Sequence, residues 1–390
     1  MAQVTMNSPP LELPMIRDRY PADSKRQEAR RLFLKMTTAT GGILFAQGAG
    51  LCPAIAEALI PLSLRGLVAS PLVDSMDPRG PMGKPIASGA VGLNGDFEAG
   101  KRPDLLIEMQ ANGGDWIQYG LVHNRPDWCS VGWRIFRWGM SHQLPDGSFP
   151  EGKQPEFGTA LFIEALGRSL LLAREFGDTS HEREFVPGVA KAAWWIGAHN
   201  LDSDWELVFD RQFAHRFWLY AAALGDAGKL TGDARLLAIS GQFARRGIAV
   251  QRTNGIDPEK DGFDVGYQAF GLVLAARYLI VADSLSERAG IPRMLRKGIG
   301  WLASRVEENG DIDGTGSTRI GIEHDRRGGI KQVFYGVVVE AFGSYAYVTG
   351  DHSSDALALR VARSKGFRDH FDPRLEQKVS ALGAPSQLRK

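Results

Sequence analysis

Three stretches of this chain are apolar on more than one face: residues 157–174 (FGTALFIEALGRSLLLAR), 265–281 (VGYQAFGLVLAARYLIV) and 333–347 (VFYGVVVEAFGSYAY). A helix that is apolar nearly all round is one enclosed by other protein. Residues 184–199, 229–251 and 292–308 instead place Arg, Lys and Glu among their apolar positions, which predicts partner helices with one wet face. The run Val337-Val338-Val339 suits a strand taken alone, but Glu340-Ala341-Phe342 and the register of the other segments favour helix. Polar loops separate these segments and recur with similar wording: Leu93-Asn94-Gly95-Asp96, then 143–151 (QLPDGSFPE), 200–204 (NLDSD), 254–259 (NGIDPE) and 309–313 (NGDID). Their spacing is about 54 residues, the length of two medium helices with connections. The pattern predicts an all-α fold of repeated helical hairpins whose Gly/Asp loops gather at one end. Open arrays use shorter repeats and polar terminal caps, so closure into a ring of inner and outer helices is expected.

From Ile86 to the C-terminus this alternation of apolar helices with acidic, aromatic and Tyr/His/Asn-bearing loops resembles the (α/α) toroids of polysaccharide lyases and glycoside hydrolases. The resemblance implies a toroid of about six helical hairpins with a funnel at the loop end. Terpenoid cyclases and protein prenyltransferases share that outline. The chain has neither the Asp-rich diphosphate motif nor the zinc triad of those proteins.

Composition narrows the function classes. A hydrophobic share of 44% with 23% charged residues is ordinary for a globular protein. The formal charge of +1, with basic residues scattered along the chain, argues against nucleic-acid binding. Near the N-terminus, Arg30-Arg31-Leu32-Phe33-Leu34-Lys35 resembles a twin-arginine export signal, followed by a small-residue stretch too interrupted for a stable membrane span. The resemblance implies recognition by the twin-arginine export machinery and a periplasmic or secreted protein. The expected organisation is a signal region and leader over 1–70, a linker or wrapping arm over 71–85, the toroid over 86–371 and a tail over 372–390. Cys52 and Cys129 form no disulfide framework, and Cys129 among Trp128, Val131 and Trp133 reads as a packing residue.

Candidate chemistry concentrates in the loops. Asp146, Glu151 and Glu156 follow one turn, although Asp-Gly is also ordinary turn chemistry. The segment 254–268 (NGIDPEKDGFDVGYQ) puts Asn254, Asp257, Glu259, Asp261, Asp264 and Tyr267 on a loop and the first turn of an inner helix, with Asp264 equally suited to capping it. Residues 210–220 read as a helix with Arg211 and His215 one turn apart and Arg216 adjacent. The glycine-rich excursion before the last inner helix carries Asp311, Asp313, Arg319 and His324, and that helix carries Tyr335. Asn124 and the tryptophans of the first half, Trp128 and Trp133 among them, offer the polar groups and flat faces that sugars need. No cofactor or metal site is expected, calcium at Asp257, Glu259 and Asp261, or at Asp311 with Asp313, being the nearest approach.

The leading expectation is a polysaccharide lyase that cleaves a uronate-containing glycan by β-elimination. Tyr267 and His215 are its acid/base pair, with His324 and Tyr335 as substitutes. Asn254, Asn124 or an arginine neutralises the uronate carboxylate, and Arg211, Arg216 or Arg319 binds the polymer's charge. The alternative is a glycoside hydrolase in which Glu151 or Asp146 opposes Asp264 or Glu259. A third expectation is a periplasmic glycan-binding or assembly protein without catalysis.

Overall fold

Asp264 opens the most apolar helix of the chain. Its Oδ1 accepts the Tyr267 N–H at 3.1 Å and so satisfies a donor that the helix itself leaves unpaired. A computed structural model describes residues 62–74, 84–150, 154–202, 212–282, 284–325 and 328–370. The arginine pair of the expected export signal, Glu151, Arg211 and the expected tail lie outside the described residues. The protein is all-α: among the described residues there are helices and isolated bridges but no strand.

The helices are α1 (Leu64–Val68), α2 (Pro71–Asp74), α3 (Asn94–Glu98), α4 (Asn112–Val122), α5 (Pro126–Met140), α6 (Pro155–Glu175), α7 (Glu182–Asp202), α8 (Ala214–Thr231), α9 (Ala234–Val250), α10 (Val265–Val281), α11 (Leu285–Ala303), α12 (Tyr335–Thr349), α13 (Asp355–Ala362) and α14 (Lys365–His370). They pair in sequence as α4/α5, α6/α7, α8/α9, α10/α11 and α12/α13, and the first members α4, α6, α8, α10 and α12 pack in succession. Each first member runs in the same direction because its partner returns the chain. The N-termini of α6, α8, α10 and α12 therefore share one end.

Side-chain contacts at that end agree: Arg216 on α8 donates to Gln154 before α6, and Tyr267 on α10 meets Phe334 before α12. At the other end Glu175 of α6 accepts the N–H groups of Leu64 and Arg65, while the Tyr347 hydroxyl of α12 bonds Ser63. Residues 62–74, expected in the leader and linker, thus pack on both α6 and α12.

The recurring turn has a structural cause. Gly89, Gly147, Gly255 and Gly310 all have positive φ (115°, 104°, 90° and 88°). A Cβ on any of them would lie 2.2–2.5 Å from a backbone carbonyl of Arg134, Lys191, Lys297 or Arg360 respectively, each on the second helix of the hairpin that follows. The residue before each later glycine braces its own turn: Asp146 accepts the Ser148 N–H at 2.9 Å, Asn254 the Ile256 N–H at 3.3 Å and Asn309 the Asp311 N–H at 2.8 Å. The first copy is Ser88-Gly89. Leu93-Asn94-Gly95-Asp96 instead begins α3, with Asn94 buried and bonded to both backbone groups of Leu106.

Hydropathy did not reveal what lies among the first helices of these hairpins. The Arg277 guanidinium (α10) bonds Glu164 (α6) at 3.2 Å and Glu340 (α12) at 2.8 Å, and Arg168 (α6) bonds Glu164 at 2.9 Å and Gln118 (α4) at 3.2 Å. Glu164 stays ionised because these two arginines outweigh the cost of its burial. Asp226 on α8 and Asp115 on α4 flank the group. Burial pushes the first well above the usual carboxyl range and the second to about 6.

Gly255→Ala is expected to destabilise the fold by about 3 kcal/mol, because the new Cβ adds a backbone clash to an unfavourable φ. Gly300→Ala, on an exposed helical face with no heavy atom near the new methyl, should be neutral or stabilising by up to about 1 kcal/mol. Denaturant melts of the two variants check the contrast.

Candidate active site

Where the N-termini of α6, α8, α10 and α12 meet, the loop before α10 and the excursion before α12 bring together a group of ionisable side chains. His215 stands in the first turn of α8, and its Nδ1 lies 3.0 Å from Glu259 Oε2; both side chains are 2% exposed. Arg319 donates to the other Glu259 oxygen at 2.7 Å and to Glu323 at 2.8 Å. Lys331 reaches Glu323 at 2.8 Å and the Tyr267 hydroxyl at 3.3 Å, and Lys260 pairs with Glu323 as well. The Tyr267 ring has the Arg319 guanidinium 4.0 Å from its centroid and the His215 ring, tilted by 35°, at 4.6 Å. Phe157, Phe213, Phe270 and Phe334 border the two rings.

The electrostatics follow from burial and pairing. Burial drives the His215 pKa down and prevails over the charge of Glu259, so the imidazole is neutral near pH 7. Burial opposes ionisation of Glu259, but His215 and Arg319 outweigh it and the pKa falls below the ordinary value. An ionised Glu259 requires a proton on His215 Nδ1, which leaves Nε2 as the basic atom. Glu323 is held at about 2: partial burial works against its charge, and its bonds to Lys260, Lys331 and Arg319 prevail.

Of the residues expected from sequence, His215, Glu259, Tyr267 and Arg319 converge here, with Arg216 beside them between Phe157 and Phe213 and bonded to Gln154 at 2.9 Å. The others are placed differently. Asp264 caps α10 and uses its second oxygen on the Ile320 N–H at 3.0 Å, so both oxygens serve backbone donors. Asp146 and Asn254 brace their turns, and Asn254 is exposed. Asn124 is an exposed residue with φ of 51° on the connection leaving α4, at the opposite end of that helix from the shared N-termini. Trp133 is 4% exposed and packs on His181 and Phe185, so it offers no open face to a sugar, while Trp128 is half-buried under Arg125. Tyr335 is buried against Gly366 with its hydroxyl near the Ile312 N–H, and His324 is exposed. The helix expected from residue 210 begins at Ala214.

Sequence reasoning missed Glu323, Lys331 and Lys260. Only the Arg319/Glu323 spacing carried a signal, and in a loop that spacing has no special meaning. Among the described residues no cluster of three or more His, Cys, Asp or Glu side chains has the arrangement of a metal site. A separate cavity of about 440 Å³ between α9 and α11 contains none of these residues, and Glu287 in its wall is paired with Tyr278 and Arg245. Comparison with protein families, with curated proteins and with solved structures finds no match to this chain.

Asp257, beside this group, is buried, and burial lifts its pKa from 3.8 to about 7 against the opposing hydrogen bond of Gln251. A raised folded pKa contributes stability that is complete below the unfolded value and is lost as pH rises through about 7. Asp257→Asn, neutral throughout, should therefore melt above the parent at pH ~8 and level with it only near pH ~3, below the unfolded value. An equal difference at both pH values would contradict the burial argument.

Proposed function

We propose that this chain is a polysaccharide lyase acting on a uronate-containing glycan, with the (α/α) toroid as its architecture. The observation that carries the reading is a neutral histidine, oriented by a buried carboxylate and packed against a tyrosine whose hydroxyl and ring are attended by a lysine and an arginine. β-Elimination needs such a set. His215 Nε2 takes the proton from C5, the electron pair forms the C4=C5 double bond, and the C4–O4 bond breaks. The Tyr267 hydroxyl protonates the departing O4, and the resulting phenolate is stabilised by Lys331 and Arg319. The same cations offset the charge that builds on the uronate carboxylate as C5 loses its proton. Because His215 is buried, the excursion before α12 must shift for a polymer to reach it.

The hydrolase alternative draws less support, since Asp146 and Asp264 are engaged in backbone capping and Glu259 is locked between His215 and Arg319. Support for the toroid comes from the succession of inner helices and from α1 and α2, which touch the first and last of the α6, α8, α10, α12 series. The reading includes export by the twin-arginine route to the periplasm or beyond, with the glycan as the partner and no cofactor.

The test follows the ultraviolet absorbance of the new C4=C5 double bond alongside reducing ends, over a panel of polyuronates and neutral glycans. Both signals should rise together on a polyuronate. Tyr267→Phe, which keeps the packed ring, should lower the rate by about 10²–10⁴-fold. Reducing ends without the absorbance would replace the lyase with a hydrolase, and no signal on any polymer would sink both.

A further inference from the structure

Three cations on separate stretches of chain converge on one carboxylate. Lys260 comes from the loop before α10, and Arg319 and Lys331 lie on either side of Glu323 in the excursion before α12. All three bond Glu323, near the middle of that excursion. Arg319 and Lys331 are 15% and 12% exposed, whereas Glu323 is 22% exposed and Lys260 42%. Arg319 and Lys331 are thus deeper than the carboxylate they hold, and Lys260 meets it from the solvent side. The His215/Glu259 pair beneath contributes one negative charge. With Glu323 in place the group of Lys260, Arg319, Lys331, Glu259 and Glu323 carries one excess positive charge, and with Glu323 withdrawn it carries two.

We propose that Lys260, Arg319 and Lys331 form a carboxylate-binding site for an anionic sugar, and that Glu323 occupies this site from within as a stand-in for the sugar's carboxylate. The proposal rests on the lyase reading and gives its substrate a specific anchor. The site lies next to the Tyr267 hydroxyl, 3.3 Å from Lys331 Nζ, which is where a C5 carboxylate has to sit for Tyr267 to reach the neighbouring O4. A uronate entering here exchanges one carboxylate for another with no loss of ion pairs and leaves the turn around Glu323 held by its backbone bonds to Arg319 and Lys331, without the side-chain anchor. The same exchange opens the way to His215. A neutral sugar has nothing to offer the three cations, so it leaves Glu323 seated.

Self-occupancy lowers the apparent affinity by the fraction of molecules with the site open. Calorimetric titration with galacturonate and glucuronate, and with galactose and glucose as neutral matches, reads this directly. Glu323→Gln is expected to bind a uronate at least about tenfold more tightly than the parent, with the neutral sugars unchanged. Glu323→Asp, which keeps the charge but withdraws it by one methylene, should tighten binding less. Limited proteolysis should cut the segment around residue 323 faster in both variants. Unchanged or weaker uronate binding in folded Glu323→Gln would overturn the proposal and leave Glu323 as a brace for its loop. Equal tightening toward inorganic sulfate would overturn the carboxylate assignment. Monosaccharides undergo no elimination, so uronate binding without lyase activity on any polymer would refute the lyase and spare the site, and lyase activity without the Glu323 effect would do the reverse.

Discussion

Arg277 sets the condition that the first helices of the other hairpins must meet. A guanidinium cannot be left unpaired away from water, and breaking such a buried pair costs about 3–5 kcal/mol. Its two carboxylate partners sit on different helices, Glu164 on α6 and Glu340 on α12, while Arg168 extends the network to Gln118 on α4. These contacts fix the axial positions of α4, α6, α10 and α12 relative to one another. Apolar packing alone leaves helices free to slide by a fraction of a turn at small cost. With α6 and α10 pinned, their N-termini stay level enough for Gln154 and Phe157 on one side and Tyr267 on the other to meet Arg216 and His215 of α8 between them.

At that end the same rule is applied with different stakes. Glu259 is buried and charged because it has two donors, whereas His215 is buried and neutral because its burial exceeds what one carboxylate returns. The pair therefore holds a base in a fixed tautomer without the imidazolium charge that would attract anions or lose basicity. Asp257, only two residues from Glu259, has no cation beside it and rises to about 7. Two carboxyl groups of one short loop are thus driven in opposite directions by their neighbours.

Much of this organisation was readable from the sequence and some was not. Residues 157–174 and 265–281 announced α6 and α10 through their unbroken apolar character, and three separate segments offered His215, Glu259, Tyr267 and Arg319 as candidates without showing that they meet. The recurring Asp-Gly and Asn-Gly pairs were readable as turns, but their purpose, the seating of a glycine against the next hairpin, depends on contacts between residues more than forty positions apart. Ser88-Gly89 escaped notice because serine replaced the amide or acid, and Asn94-Gly95 took its place because it looked like the others. Glu323, Lys260 and Lys331 escaped because ionic partners on loops have no periodicity to give them away. Arg277, Glu164 and Glu340 were in plain view inside apolar helices, yet nothing in one helix indicates that the charge on another will answer it.

The glycine turns and the charged centre differ in what they know about the whole molecule. The glycine of each turn is seated on the hairpin that follows, so duplication or loss of a complete hairpin would leave every remaining turn with a carbonyl to rest on. The Arg277 network has no such tolerance, because Glu164 of α6 and Glu340 of α12 must both reach one guanidinium on α10. Copy number in this chain is therefore policed from the middle of the helices, and a gene duplication that the turns would accept would strand a buried charge.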